Sequence, residues 1–151
     1  MKKIILVFSS LFLTTLSFGE VSTESRVVGT WCEIDKPTNT CFGYTAYYSD
    51  NSYYAYGVLY EFDVKFASQG TWKHQNGKAC ITPERQSFVD IKTGQKIDPK
   101  LPLTEYCDSI IDITDKVYLY ENHIDGSKVR MLKVSHKPNK SFQPRAKAPA
   151  E

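Results

Sequence analysis

The chain has 151 residues, with 19 Lys and Arg against 17 Asp and Glu, 13% aromatic residues and four cysteines. That length suits one domain with a modest core and leaves no room for a second. A net charge of +2 without a long basic run gives no basis for nucleic-acid binding.

The first element is MKKIILVFSSLFLTTLSFGE: two lysines, an apolar run over 4–16, and small residues at Ser17 and Gly19. This pattern predicts a secretory signal peptide over 1–19, cleaved after Gly19. The run is shorter and richer in Ser and Thr than the ~20 apolar residues a membrane span needs, so no stable membrane insertion of the mature chain is expected. Loss of Lys2 and Lys3 from the 19 basic residues leaves 17 against 17 acidic ones. The charge is uneven, because Lys137, Lys140, Arg145 and Lys147 crowd the end. The expected organisation is a β-domain over 20–134 followed by a basic, disordered tail over 135–151. The expected location is the periplasm or the extracellular space.

Cys32, Cys41, Cys80 and Cys107 are an even set in an exported chain, which reads as two disulfides with three possible pairings. Cys32 with Cys41 and Cys80 with Cys107 is the favoured pairing, since each bond then brackets one continuous piece of chain. No Cys-x-x-Cys occurs, and His74, His123 and His136 have no ligand spacing around the cysteines, so neither a metal nor another cofactor is expected.

From 27 to 134 the sequence reads as short strands separated by turn residues at 49–52, 75–77, 93–94, 114–116 and 125–126. Asn-Gly and Asp-Gly supply the positive φ of tight hairpins, so neighbouring strands should pair antiparallel in an all-β fold. Seven of the ten tyrosines fall between Tyr44 and Phe62. Over 54–66 the even positions are Tyr54, Tyr56, Val58, Tyr60, Phe62, Val64 and Phe66, whereas Glu61, Asp63 and Lys65 are odd. Alternation predicts one long strand, bent near Gly57, with the even row inside. Tyr47 and Tyr53 then lie on the outer face beside a hairpin turn, where they are candidate anchors for a protein partner. Shorter strands are expected at 107–113, 117–121 and 128–134.

Gly-Thr-Trp occurs twice, at 29–31 and 70–72. Gly29-Thr30-Trp31 shortly after a signal peptide, followed by an antiparallel meander, resembles the lipocalin and lipocalin-like group, whose first strand carries Gly-x-Trp. The motif GTWKHQNGKAC also resembles small exported bacterial proteins. The lipocalin resemblance implies an up-and-down meander closing into a small barrel or half-barrel. In each Gly-Thr-Trp copy the tryptophan, Trp31 or Trp72, is expected to close one end of the core, and the lipocalin resemblance implies that Arg130, from the last strand, covers Trp31. The second lipocalin motif is half present: Thr114 and Asp115 fit, but Lys116 and Leu119 stand where tyrosines belong.

No nucleophile elbow, phosphate-binding glycine loop or carboxylate pair is visible, and no catalytic residue is assigned. The histidines read as solvated surface residues. The expected function is therefore non-enzymatic binding of a small apolar ligand or an envelope component, with Tyr54, Tyr56, Tyr60, Phe62 and Phe66 lining the site. The alternative is a protein–protein module, such as an inhibitor of a lytic enzyme, acting through Tyr47 and Tyr53. Whether the barrel interior is filled or hollow is left open by side-chain volume alone.

Overall fold

A computed structural model describes residues 22–35, 40–98 and 103–135; the expected signal peptide and all of the expected tail beyond Ser135 lie outside the described residues. A single helical turn, α1 (Thr23–Val27), opens the described chain, with the Ser22 hydroxyl accepting from the Ser25 amide at 3.3 Å. The strands are β1 (Gly29–Asp35), β2 (Thr40–Tyr47), β3 (Ser52–Leu59), β4 (Val64–Gln75), β5 (Lys78–Asp90), β6 (Lys96–Ile97), β7 (Tyr106–Ile113), β8 (Val117–Glu121) and β9 (Lys128–Val134). All pairings are antiparallel. They run β1-β2-β3-β4-β5-β7-β8-β9 and return to β1, so eight strands close on themselves while β6 adds to the far end of β5. Closure leaves those eight strands no free edge, which is the architecture of lipocalin-like barrels.

The five turns expected from composition each connect two strands, with positive φ at Asn51, Asn76, Gly77, Gly94 and Gly126. Strands β7, β8 and β9 fall where alternation placed them. The disulfides pair Cys32 with Cys41 and Cys80 with Cys107. The second joins residues directly opposite each other on β5 and β7.

The expected single strand over 54–66 is corrected: it is two antiparallel strands joined by a 3-10 turn, Tyr60–Phe62. Asp63 takes a left-handed conformation, φ 52°, and its amide donates to Tyr60 O at 3.3 Å, which reverses the chain without glycine or proline. The register Leu59↔Val64 couples odd positions of β3 to even positions of β4. Paired residues share a face, so the inward row is odd on β3 and even on β4.

The inward rows meet in a core of Val27, Trp31, Tyr47, Tyr53, Trp72, Ala79, Ile81, Ile113, Tyr118 and Met131. Aromatic edges lock it: Trp31 against Tyr118 at 5.5 Å, Tyr47 against Trp72 at 5.1 Å and Tyr47 against Tyr118 at 6.4 Å. Each tryptophan donates its ring N–H to a backbone carbonyl, Trp31 to Val27 at 2.7 Å and Trp72 to Tyr48 at 2.9 Å. The two Gly-Thr-Trp copies therefore both put a tryptophan in the core. They differ in position, since Gly29 begins β1 whereas Gly70 sits within β4 at a register shift. At Gly70 a Cβ would stand 2.1 Å from Thr82 O and 3.1 Å from the Tyr53 ring, so only glycine lets β5 and Tyr53 approach this closely.

Candidate functional site

The two ends of the barrel are built differently. At the end that α1 covers, the inward side chains Trp31, Tyr47, Trp72, Ile113 and Tyr118 are all buried, and the Arg26 guanidinium donates to Ile113 O at 3.5 Å to hold the helical turn in place. Toward the other end the inward rows are Glu33, Phe66, Phe88, Tyr106, Tyr120 and Val129, and each of these is only half-buried. Inward-facing side chains that keep contact with solvent form a mouth.

The floor of this mouth follows one cross-strand row. Glu33 on β1 pairs with Gly43 on β2, Gly43 with Gly57 on β3, and Gly57 with Phe66 on β4. A Cβ at Gly43 would lie 3.8 Å from Glu33 Oε2, and one at Gly57 would lie 3.0 Å from the Phe66 ring. The carboxylate and the phenyl ring thus lie over two bare stretches of backbone. Burial pushes the Glu33 carboxyl above its ordinary range. Glu33 makes no hydrogen bond or ion pair with another described side chain.

The opposite wall carries tyrosines and a second acid. Tyr106, Tyr118 and Tyr120 have phenols pushed far up by burial, with Asp108 adding to each and Glu33 adding at Tyr120. These phenols stay protonated at neutral pH. Asp108 is spent locally: Oδ1 accepts from the His123 backbone amide at 3.0 Å and contacts His123 Nδ1 at 2.8 Å. The His123 ring stacks on Tyr106 at 4.4 Å. Held by Asp108 and stacked on Tyr106, His123 anchors the β8–β9 turn at the rim.

Several expected site residues are placed elsewhere. Tyr47 and Tyr53 are corrected from the surface to the core, at 5% and 2% exposure, and the Tyr53 hydroxyl lies 2.5 Å from Ser68 Oγ. Tyr54 and Tyr56 are corrected from the interior to the outer face, where Tyr56 stacks on Tyr44 at 5.1 Å and packs against Tyr54 at 5.7 Å. Tyr60 and Phe62 are corrected from an inward row to the 3-10 turn, 66% and 69% exposed. Of the five expected lining residues, Phe66 alone faces inward. Arg130 does not cover Trp31: Met131 points into the core, so its neighbour Arg130 points out, and Lys133, paired with Trp31 across β1 and β9, sits 5.1 Å above the indole. His74 is also corrected from a solvated position, since its Nε2 is buried without a hydrogen-bond partner among the described residues.

Two further features lie outside the mouth. A surface hollow of about 270 Å³ is lined by Phe42, Val58, Leu59, Tyr60, Glu61 and Phe62 beside the 3-10 turn. Cys80, Glu105 and Cys107 come within metal-binding reach of one another, but both sulfurs are committed to a disulfide and offer no thiolate. Glu33, Tyr106 and Tyr120 escaped the sequence reading. The signal that finds them is their register with Trp31 and Tyr118, which needs the pairing of β1 with β9 and of β7 with β8.

No protein-family model matches the chain, and no curated protein matches it. Among solved structures it is similar to a lipocalin-like protein from Bacteroides uniformis, with a TM-score of 0.47 and 13% identity over 72% of this chain and 99% of that one. Among the described residues no helix is long and apolar enough to cross a membrane. The strand pairings themselves define the fold: a closed, eight-stranded antiparallel barrel of lipocalin-like architecture, with two disulfides.

Proposed function

We propose that the protein is a non-enzymatic binding protein of the bacterial periplasm or extracellular space, which takes a small, largely apolar molecule into the open end of its barrel. The observation that carries this reading is the contrast between the two ends. One is packed with Trp31, Tyr47, Trp72 and Tyr118, and the other leaves Phe66, Phe88, Tyr106, Tyr120 and Val129 inward-facing yet half-buried. Eight-stranded barrels either fill with side chains or hold one small ligand, and here the fully buried inward aromatic rings are gathered in one half. Two disulfides suit an oxidising compartment.

Titration with N-phenyl-1-naphthylamine, a neutral apolar fluorophore, tests the reading. Emission is expected to rise on binding, to be lost in Val129→Trp, which fills the mouth, and to survive Tyr56→Ala on the outer face. No rise in emission, or loss only in Tyr56→Ala, refutes it. A second reading, docking of a protein partner, is favoured by one observation: Tyr60 and Phe62 stand exposed around the hollow at the rim. Loss of a purified partner's binding in Phe62→Asp with fluorophore binding intact would identify that role.

A further inference from the structure

Glu33 is an anomaly in an apolar mouth. A carboxylate partly withdrawn from water loses hydration that a cation or hydrogen-bond donors can replace. Neither is supplied by the described side chains. The inward-facing lysine next along the paired strand, Lys133, is turned the other way: its Nζ lies over the Trp31 ring, and its Cε is 2.5 Å from where a Cβ of Gly29 would stand. The second inward acid, Asp108, already has His123. Around Glu33 the wall is two glycines, Gly43 and Gly57, followed by the Phe66 ring. The Tyr120 phenol is pushed up chiefly by burial and further by the Glu33 charge.

A carboxylate over bare backbone, with aromatic rings in the same inward layer, can receive an organic ammonium group, with the charge meeting the carboxylate and the rings meeting its carbon body. We propose that the barrel mouth selects small amines, with Glu33 as the ion-pair partner of the ammonium and the rings of Phe66 and Tyr120 holding the apolar body. This inference rests on the mouth being a ligand site and names the class of ligand it takes.

Three molecules that share a phenylethyl body test it by calorimetry on the folded protein at neutral pH and low salt: phenethylamine, a cation; 2-phenylethanol, neutral; and 3-phenylpropanoate, an anion. The amine is expected to bind about tenfold or more tighter than the alcohol, as one charge-assisted hydrogen bond allows, with the anion weakest. Glu33→Gln, which keeps the shape, should remove the preference for the amine over the alcohol. Amide chemical-shift changes in the wild-type protein should centre on residues 33, 43, 57, 66 and 120, a readout that does not depend on any variant. Equal binding of amine and alcohol by the wild type overturns the proposal and leaves the mouth as a ligand site. Persistence of the preference in Glu33→Gln, or shift changes centred elsewhere, also overturns it. Failure of all three molecules and of the fluorophore overturns the ligand site together with the inference.

Discussion

Neighbouring tyrosines Tyr53 and Tyr54 point to opposite faces of β3, and removing one oxygen from each should have opposite consequences. Tyr53 is 2% exposed and its hydroxyl lies 2.5 Å from the Ser68 hydroxyl, itself on a residue 7% exposed. Tyr53→Phe therefore leaves a buried serine hydroxyl unpaired, at a cost of about 1–2 kcal/mol. Ser68→Ala should cost a similar amount by orphaning the phenol. The double variant should recover roughly 1 kcal/mol of the summed loss, because no polar group is then stranded. The Tyr54 hydroxyl is buried without a partner among the described residues, so Tyr54→Phe relieves an uncompensated group and should be neutral or stabilising. Urea unfolding reads all four variants as shifts in midpoint at constant slope. If Tyr54→Phe loses more stability than Tyr53→Phe, or if the Tyr53 and Ser68 losses simply add, the assignment of faces on β3 is wrong.

Other residues give independent tests. Lys133→Ala should lower stability by about 0.5–1 kcal/mol through the lost contact with Trp31, whereas Arg130→Ala, on the outer face, should change it by less than about 0.5. Gly70→Ala drives a Cβ against Thr82 O and should cost about 1–3 kcal/mol in the same urea assay. Replacing the Cys80–Cys107 pair, with a sequence separation of 27, should cost about 3.6 kcal/mol in the chain-entropy account. The Cys32–Cys41 pair, with a separation of 9, should cost about 2.7 kcal/mol. Burial raises the Glu33 pKa in the folded state, so its charge is a penalty that the unfolded chain escapes. Glu33→Gln should therefore raise the melting temperature at pH 7. The gain should shrink as pH falls through the raised value and vanish below the ordinary 4.5, as followed by scanning calorimetry of the variant against the wild type.

The fold was legible where the signals are local. Asn76-Gly77, Gly94 and Asp125-Gly126 mark turns because few other residues accept positive φ, and all of them join strands. The same logic hid the 60–63 turn: YEFD carries neither glycine nor asparagine, and Asp63 adopts the left-handed conformation within a reversal whose outer corner is tied by an ion pair to Lys92. One missed turn then inverted a whole face, since a period of two turns any parity error into an exchange of inside for outside. That single slip sent Tyr54 and Tyr56 inward and Tyr47 and Tyr53 outward in the sequence reading.

By itself the sequence determined the class of structure: hairpin turns, alternating strands and four cysteines that close two local loops, all set by interactions between residues near one another in the chain. The tertiary structure alone decided which face of each strand is buried, that β9 returns to β1, and that Lys133 rather than Arg130 meets Trp31. It also decided that Glu33 stands in the mouth across from Tyr120. Those facts depend on register between strands about a hundred residues apart, and register is set by how the whole barrel closes, which no short stretch of sequence encodes.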